Sequence, residues 1–208
     1  MVQGIEFYDI SSGGQLSHID HFTLGQNGKA NCVEAIDDYA YFTSKNGLYV
    51  VDISSPSNPQ SLGRVGGTNN YILENLDAEN NMLAVAAHED GVMLYDISNP
   101  QNLQLRSTIN SENAWGVRLK DGYAYIADEL IVKIYNISNS SDPVFINQIE
   151  TSNAIKDIAL TQSFMYVALG SDGVDIYDLS NLESPVFLDN YNTNTLANRI
   201  SPFENKLA

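Results

Sequence analysis

The sequence is poor in the residues that build common catalytic and metal sites. One cysteine, Cys32, excludes an internal disulfide and leaves the redox compartment open. The three histidines, His18, His21 and His88, do not have metal-site spacing, and we expect all three at the surface. There is no Gly-x-Ser-x-Gly elbow and no Asp-x-Asp-x-Asp-Gly calcium loop. The sequence therefore predicts no catalytic residue, no metal site and no cofactor.

Basic residues and long apolar runs are also scarce. Ten basic side chains stand against 26 acidic ones, which gives a net charge of −16. Such a charge repels phosphate backbones and anionic lipid surfaces. No apolar run is long enough for a membrane-spanning helix. We therefore expect neither a nucleic-acid partner nor membrane insertion.

What the chain does contain is a repeat. An apolar strand that ends in a short polar residue recurs five times, at intervals of 40–44 residues, which suits a four-stranded blade. The polar residues are Asp9, Asp52, Asp96, Asn136 and Asp178. A serine follows two positions later in each copy, so we expect these side chains to cap turn amides rather than bind a ligand.

Three further strand columns accompany each copy, and no segment has the period of an amphipathic helix. We call the four strands inner, second, third and outer, in chain order. Each inner strand carries one apolar anchor, which we expect to be buried between blades. The anchors are Val33, Leu76, Val117, Ile158 and Ile200. This pattern predicts an all-β fold, a β-propeller of four-stranded blades.

The two ends of the chain hold complementary halves of a repeat. The chain opens on a third and an outer strand and closes on an inner and the start of a second. Residues 1–208 are therefore expected to form a single domain, a ring of five blades closed by pairing of the N- and C-terminal half-blades. The alternative is that the chain is an arc of a larger ring and a fragment of a longer protein.

The run Gly47 to Gly63, with Leu-Tyr-Val-Val-Asp at its centre, resembles the LVIVD repeat of bacterial and archaeal surface proteins. The resemblance covers essentially the whole chain. It implies a β-propeller fold and an extracellular or cell-surface location, but that family has no common activity to transfer. Asn136 departs from the pattern, since it replaces the acid.

The repeats differ most from one another just before the inner-strand anchors. In a propeller these positions ring the mouth of the central channel, so we expect a ligand site there. The candidate ligand-binding residues are Asn31, Glu74, Asn75, Trp115, Lys156, Asp157, Asn198 and Arg199. Two long loops, residues 23–29 and 66–71, would raise one side of the rim. The alternative is that these side chains plug the channel with mutual salt bridges.

Two functions remain open from the sequence. The first is a non-catalytic binding or scaffold domain, monomeric and exported or on the cell surface, that recognises a glycan or a protein partner. The second is a glycosidase-like hydrolase that uses paired carboxylates on the inner strands. Its carboxylates would be drawn from Glu34, Glu74, Asp77 and Asp157.

Overall fold

The computed structural model describes residues 4–10, 13–23, 29–45, 47–65, 72–203 and 206–207. Throughout this part of the chain every regular element is a β-strand. The strands form four four-stranded sheets and two two-stranded sheets, all antiparallel. No helix in the described ranges is long and apolar enough to cross a membrane. The all-β class and the four-stranded blades predicted from the repeat are confirmed.

Each four-stranded sheet, which we call a blade, runs in chain order from its inner to its outer strand. Blade 1 contains β3 (Ala30–Ile36), β4 (Tyr39–Ser44), β5 (Gly47–Asp52) and β6 (Gln60–Val65). Blade 2 contains β7 (Asn75–Glu79), β8 (Met82–Ala86), β9 (Val92–Asp96) and β10 (Gln104–Ile109). Blade 3 contains β11 (Ala114–Lys120), β12 (Tyr123–Asp128), β13 (Ile131–Asn136) and β14 (Val144–Glu150). Blade 4 contains β15 (Asp157–Leu160), β16 (Phe164–Ala168), β17 (Val174–Asp178) and β18 (Val186–Tyr191).

The two-stranded sheets are the half-blades at the chain ends. At the N-terminal end β1 (Gly4–Ile10) pairs with β2 (Leu16–Thr23), and at the C-terminal end β19 (Pro202–Phe203) pairs with β20 (Lys206–Leu207). The first hairpin packs on blade 1, and the segment before β19 packs on blade 4. The described residues contain no ladder between β1 and β20. Ring closure therefore stays a prediction.

Short polar turns explain why consecutive strands pair as hairpins. In blades 1 to 3 a two-residue turn joins the inner strand to the second strand. Its first residue, Asp37, Asn80 or Asp121, has a φ of 51–54°. Asp and Asn tolerate this left-handed conformation better than most residues, and such turns match the twist of antiparallel strands. The sequence thus sets the blade connections locally.

The short polar residue at the end of the third strand caps the following turn in all four blades, as predicted, while the turn after Asp9 falls on residues 11 and 12, outside the described residues. The Oδ1 atoms of Asp52, Asp96, Asn136 and Asp178 accept hydrogen bonds of 2.7–2.9 Å from the amide of the serine two positions later. Asn136 does this as well as the aspartates, so the contact needs an oxygen and not a charge. Hydrogen bonds from the hydroxyl of the same serine and, to a lesser degree, from its amide lower the pKa of Asp52 and Asp178.

The core lies between blades rather than within them. Each cluster of buried apolar side chains combines two neighbouring blades. The anchors Leu76, Val117 and Ile158 are buried as expected, and Ile200 is partly buried. The expectation was wrong for Val33, whose side chain is 49% exposed. Val33 pairs with Phe42, which packs with Ile5 and Phe22 of the N-terminal hairpin, but Val33 itself is not part of that buried cluster.

This contrast predicts different costs for one substitution at two equivalent repeat positions. Val117 is 1% exposed, so Val117→Ala should lower the free energy of unfolding by about 1 to 3 kcal/mol through lost burial and a residual cavity. Val33→Ala should change it much less. Urea denaturation of both variants checks this. Equal losses would show that Val33 is as well packed as Val117.

Candidate functional site

A cavity of about 590 Å³ opens where the inner strands begin. Seven of the eight predicted ligand-binding residues line it: Glu74, Asn75, Trp115, Lys156, Asp157, Asn198 and Arg199. The eighth, Asn31, is not in its lining, and its Nδ2 donates a 2.9 Å hydrogen bond to the Leu73 carbonyl that ties blade 1 to the segment before β7. The predicted rim loops fall on residues 24–28 and 66–71, which lie outside the described residues. The sequence thus located a real cavity, while its ligand role stays a prediction.

Trp115 is presented to this cavity by a β-bulge. In the β11–β12 ladder Ala114 pairs with Asp128 and Gly116 pairs with Ala127, so Trp115 is the extra residue. A bulge of this kind redirects a side chain away from the regular pleat. The indole is 45% exposed and belongs to the cavity wall. Asn31 occupies the equivalent extra position in blade 1, so blades 1 and 3 share the bulge and only blade 3 places a tryptophan on it.

His88 supports the tryptophan from the neighbouring blade. The two rings meet edge to face with centroids 4.4 Å apart. His88 Nδ1 lies 2.9 Å from Asn113 Oδ1, and its Nε2 lies 3.7 Å from Glu74 Oε2. The expectation that all three histidines lie at the surface is therefore wrong for His88, which is partly buried. The cause is the loop between β8 and β9, where His88 takes a φ of 49° and turns toward the inner strands.

A second support fixes the segment that leads into β11. Asp128 Oδ1 accepts a 2.7 Å hydrogen bond from the Asn113 amide, and its Oδ2 accepts one from Lys133 Nζ. Burial alone would raise the pKa of Asp128, but these hydrogen bonds lower it overall. Asn113 Nδ2 also donates to Glu129 Oε1 at 3.1 Å. Asn113 is thus held on both sides. Because Asn113 contacts His88, this also fixes the position of the His88 ring beside Trp115.

Arg118 is not part of the cavity lining but binds two residues that are, Asn75 and Asp157. Its guanidinium donates to Asn75 Oδ1 at 2.9 Å and to Asp157 Oδ1 at 2.7 Å, so it ties blade 3 to blades 2 and 4. Asn75 Oδ1 also accepts from the Val117 amide at 3.1 Å, and Asp157 Oδ2 accepts from the Ile200 amide at 3.2 Å. A salt-bridged plug of the kind considered from the sequence therefore exists, but it lies beneath the cavity and leaves the mouth open.

A second cavity, of about 400 Å³, is lined in part by Glu34, Asp77 and Arg118. Burial raises the pKa of Glu34, the neighbouring Asp77 raises it further, and Arg118 lowers it. Burial also raises the pKa of Asp77, against the lowering effect of a 2.6 Å hydrogen bond from the Leu119 amide. The four carboxylates of the hydrolase hypothesis are thus divided between two cavities.

The raised pKa of Glu34 gives a pH prediction. A carboxyl whose folded pKa lies above its unfolded value loses stabilising free energy as pH rises through the folded pKa. Glu34→Gln removes that loss, so the variant should be more stable than wild type at pH 7. The advantage should shrink as pH falls through the raised folded pKa and should be gone below 4.5, the ordinary value, where Glu34 is protonated in both states. Urea midpoints at several pH values test this, with the exposed Glu150→Gln as control. A less stable variant at pH 7 would show that attraction to Arg118 outweighs burial.

Sequence reasoning missed Arg118, His88, Asn113 and Glu129. A signal existed for Arg118, since the residue that follows the inner-strand anchor is charged in three of the five repeats: Glu34, Asp77 and Arg118. No such signal marks His88, Asn113 or Glu129, which lie in connections. Among the described residues there is no group of three or more His, Cys, Asp or Glu side chains placed to hold a metal ion.

Comparison with known families identifies the repeat. The model of the LVIVD repeat matches residues 27–66, 75–111, 112–151 and 154–193. These matches cover well over half of the sequence, and the chain belongs to the LVIVD-repeat family. No curated protein matches it.

Solved structures show the same fold at low sequence identity. A protein from Lactobacillus plantarum superimposes with a TM-score of 0.78 at 12% identity, over 92% of this chain and 66% of that one. The WD40 domain of Neurospora crassa Pan2 gives 0.70 at 13%, over 90% and 60%. The computationally designed Ika8 protein gives 0.69 at 15%, over 94% and 58%. The chain thus spans less than two thirds of each of these structures. Together with the repeat, they confirm the β-propeller fold, which suggests a binding or scaffold role.

Proposed function

We propose that this propeller is a non-catalytic saccharide-binding domain of an exported or cell-surface protein. The observation that carries the proposal is the half-exposed Trp115 on the wall of the cavity at the start of the inner strands. The apolar face of a sugar ring packs well on an indole, and the polar edges of the ring need directed hydrogen-bonding groups nearby. Glu74, Asn198 and Arg199 supply such groups in the same cavity.

The size of the cavity favours a small ligand. Its volume of about 590 Å³ lies within the range of roughly 300–1,000 Å³ usual for small-molecule sites. A protein partner, the alternative from the sequence, typically covers about 800 Å² of surface on each side, which a concave pocket does not provide. His88 already holds the Trp115 ring in place without a ligand, so this side chain loses little conformational freedom on binding.

Gly116 allows a direct test of the cavity. A Cβ at this position would lie 3.7 Å from Ala127 Cβ and 3.9 Å from Asn75 Oδ1, which are ordinary contact distances. Gly116→Val should therefore fold normally and place its methyl groups in the cavity. Wild type and this variant would be applied to an array of plant, microbial and animal oligosaccharides.

The proposal expects the wild type to retain a small set of saccharides without hydrolysing them, and expects Gly116→Val to retain none at an unchanged melting temperature. Retention of the same saccharides by both proteins would place binding elsewhere. Turnover of chromogenic glycosides or esters by the wild type would refute a non-catalytic role. The proposed location outside the cell would be checked by fractionating the source cells with an antibody to the chain, and purely cytoplasmic protein would contradict it.

A further inference from the structure

Around the cavity the acidic side chains have side-chain partners more often than the basic ones do. Two of the three carboxylates in its lining accept hydrogen bonds from other side chains, Glu129 from Asn113 and Asp157 from Arg118, while Glu74 Oε2 lies 3.7 Å from His88 Nε2. The two bases in the lining, Lys156 and Arg199, have no ion-pair partner among the described residues. This is unusual for a chain with a net charge of −16, in which acids outnumber bases by 26 to 10.

Backbone contacts hold the main chain of Lys156 and Arg199 in place. The Lys156 amide donates to the Ala168 carbonyl at 2.8 Å. Arg199 follows an antiparallel bridge between Gly170 and Ala197, and the next amide, that of Ile200, donates to Asp157 Oδ2 at 3.2 Å. The main chain on either side of Arg199 is therefore anchored to blade 4, and the exposed side chains of Lys156 and Arg199 have no carboxylate within ion-pair distance among the described residues.

We infer that the saccharide bound in this cavity is acidic, and that Lys156 and Arg199 bind its anionic group while Trp115 packs on its ring. This inference rests on the proposed saccharide-binding function and names the ligand class. A guanidinium and an ammonium bind a sugar carboxylate or sulfate through charge-assisted hydrogen bonds, and the partly enclosed site strengthens them relative to water. Glu129 and Asp157 do not compete for the two bases, because each already accepts a hydrogen bond from another side chain.

The test compares pairs of ligands that share a sugar backbone and differ chiefly in charge. Tetragalacturonic acid and its methyl ester share ring, linkage and size, but the ester is neutral. A sulfated oligosaccharide and its desulfated form make the second pair, so that the two sources of negative charge are distinguished. Calorimetric titrations would use wild type, Lys156→Gln, Arg199→Gln, the double variant and Arg64→Gln. Arg64 is an exposed base on the outer strand β6, remote in the fold from the inner strands, and serves as the matched control.

We expect wild type to prefer the charged member of at least one pair, and each cavity substitution to weaken that binding by about tenfold, the usual size of one charge-assisted hydrogen bond. Binding of the neutral member and the behaviour of Arg64→Gln should not change. The preference should also fall with added salt in wild type and be absent from the double variant.

The contrary results separate the two proposals. Equal binding of charged and neutral members, lost on Gly116→Val, would refute an acidic ligand and leave saccharide binding intact. A charge preference that persists in the double variant would refute the assignment to Lys156 and Arg199. Failure of every member of both pairs to bind, together with a blank array, would refute both proposals. Preference for the sulfated pair over the carboxylated pair would assign the anion as sulfate.

Discussion

Replacing Arg118 with Met is expected to lower the free energy of unfolding by about 3 kcal/mol, the low end of the range for breaking a buried ion pair by removing one partner. Asp157 is 8% exposed and Arg118 is 24% exposed on their side chains, so the carboxylate would be left buried without its counter-charge. Arg118 also ties three blades together, since its contacts reach Asn75 in blade 2 and Asp157 in blade 4.

A double-mutant cycle separates charge burial from lost packing. Asp157→Asn alone keeps an acceptor for one backbone amide and removes the charge, so the double variant Arg118→Met, Asp157→Asn should lose less than the sum of the single losses. Urea denaturation measures all four proteins. A loss below about 1 kcal/mol for Arg118→Met, the usual value of an exposed ion pair, would show that the Arg118–Asp157 pair does not behave as a buried one.

The second large effect concerns binding. Trp115→Ala should weaken saccharide binding by at least about 30-fold, which corresponds to a hot-spot residue of about 2 kcal/mol. Its melting temperature should change little, because the indole is 45% exposed and on a bulge rather than in a blade core. Trp115→Phe should retain part of the affinity, because a ring remains.

Phe187→Ala is the matched control for the tryptophan variant. Phe187 is 53% exposed and lies on the outer strand β18, where its ring contacts Tyr177 and does not line the cavity. Its loss should leave saccharide binding unchanged. A Trp115→Ala protein that melts much earlier yet binds as well as wild type would place Trp115 in the core and leave the proposed site without its main contact.

Much of the fold was available from the sequence because the repeat carries it. The period, the strand columns and the turn acids all follow from residues that recur in every copy, and the structure agrees at Asp52, Asn136 and Asp178. Val33 shows the limit of this argument. It shares its repeat position with Val117, but burial depends on the blade in front, which differs between the two.

The site was predictable in position and not in detail. Divergence between repeats at one shared column located the cavity, because residues that the fold does not constrain are free to vary. The bulge that turns Trp115 outward leaves no mark on the sequence, and it depends on a pairing offset between β11 and β12. The contacts of His88 and Arg118 join different blades, and only the folded propeller brings such residues together.

The central claim, that a saccharide binds against Trp115, can be tested by one spectroscopic measurement. Trp115 is the only tryptophan in the chain, so a ¹⁵N-labelled sample should give a single indole N–H cross-peak. We predict that this peak moves on titration with a saccharide retained by the array, with a saturation curve that yields the calorimetric Kd. Tight calorimetric binding without any movement of the indole peak would contradict the claim and place the ligand away from the channel mouth.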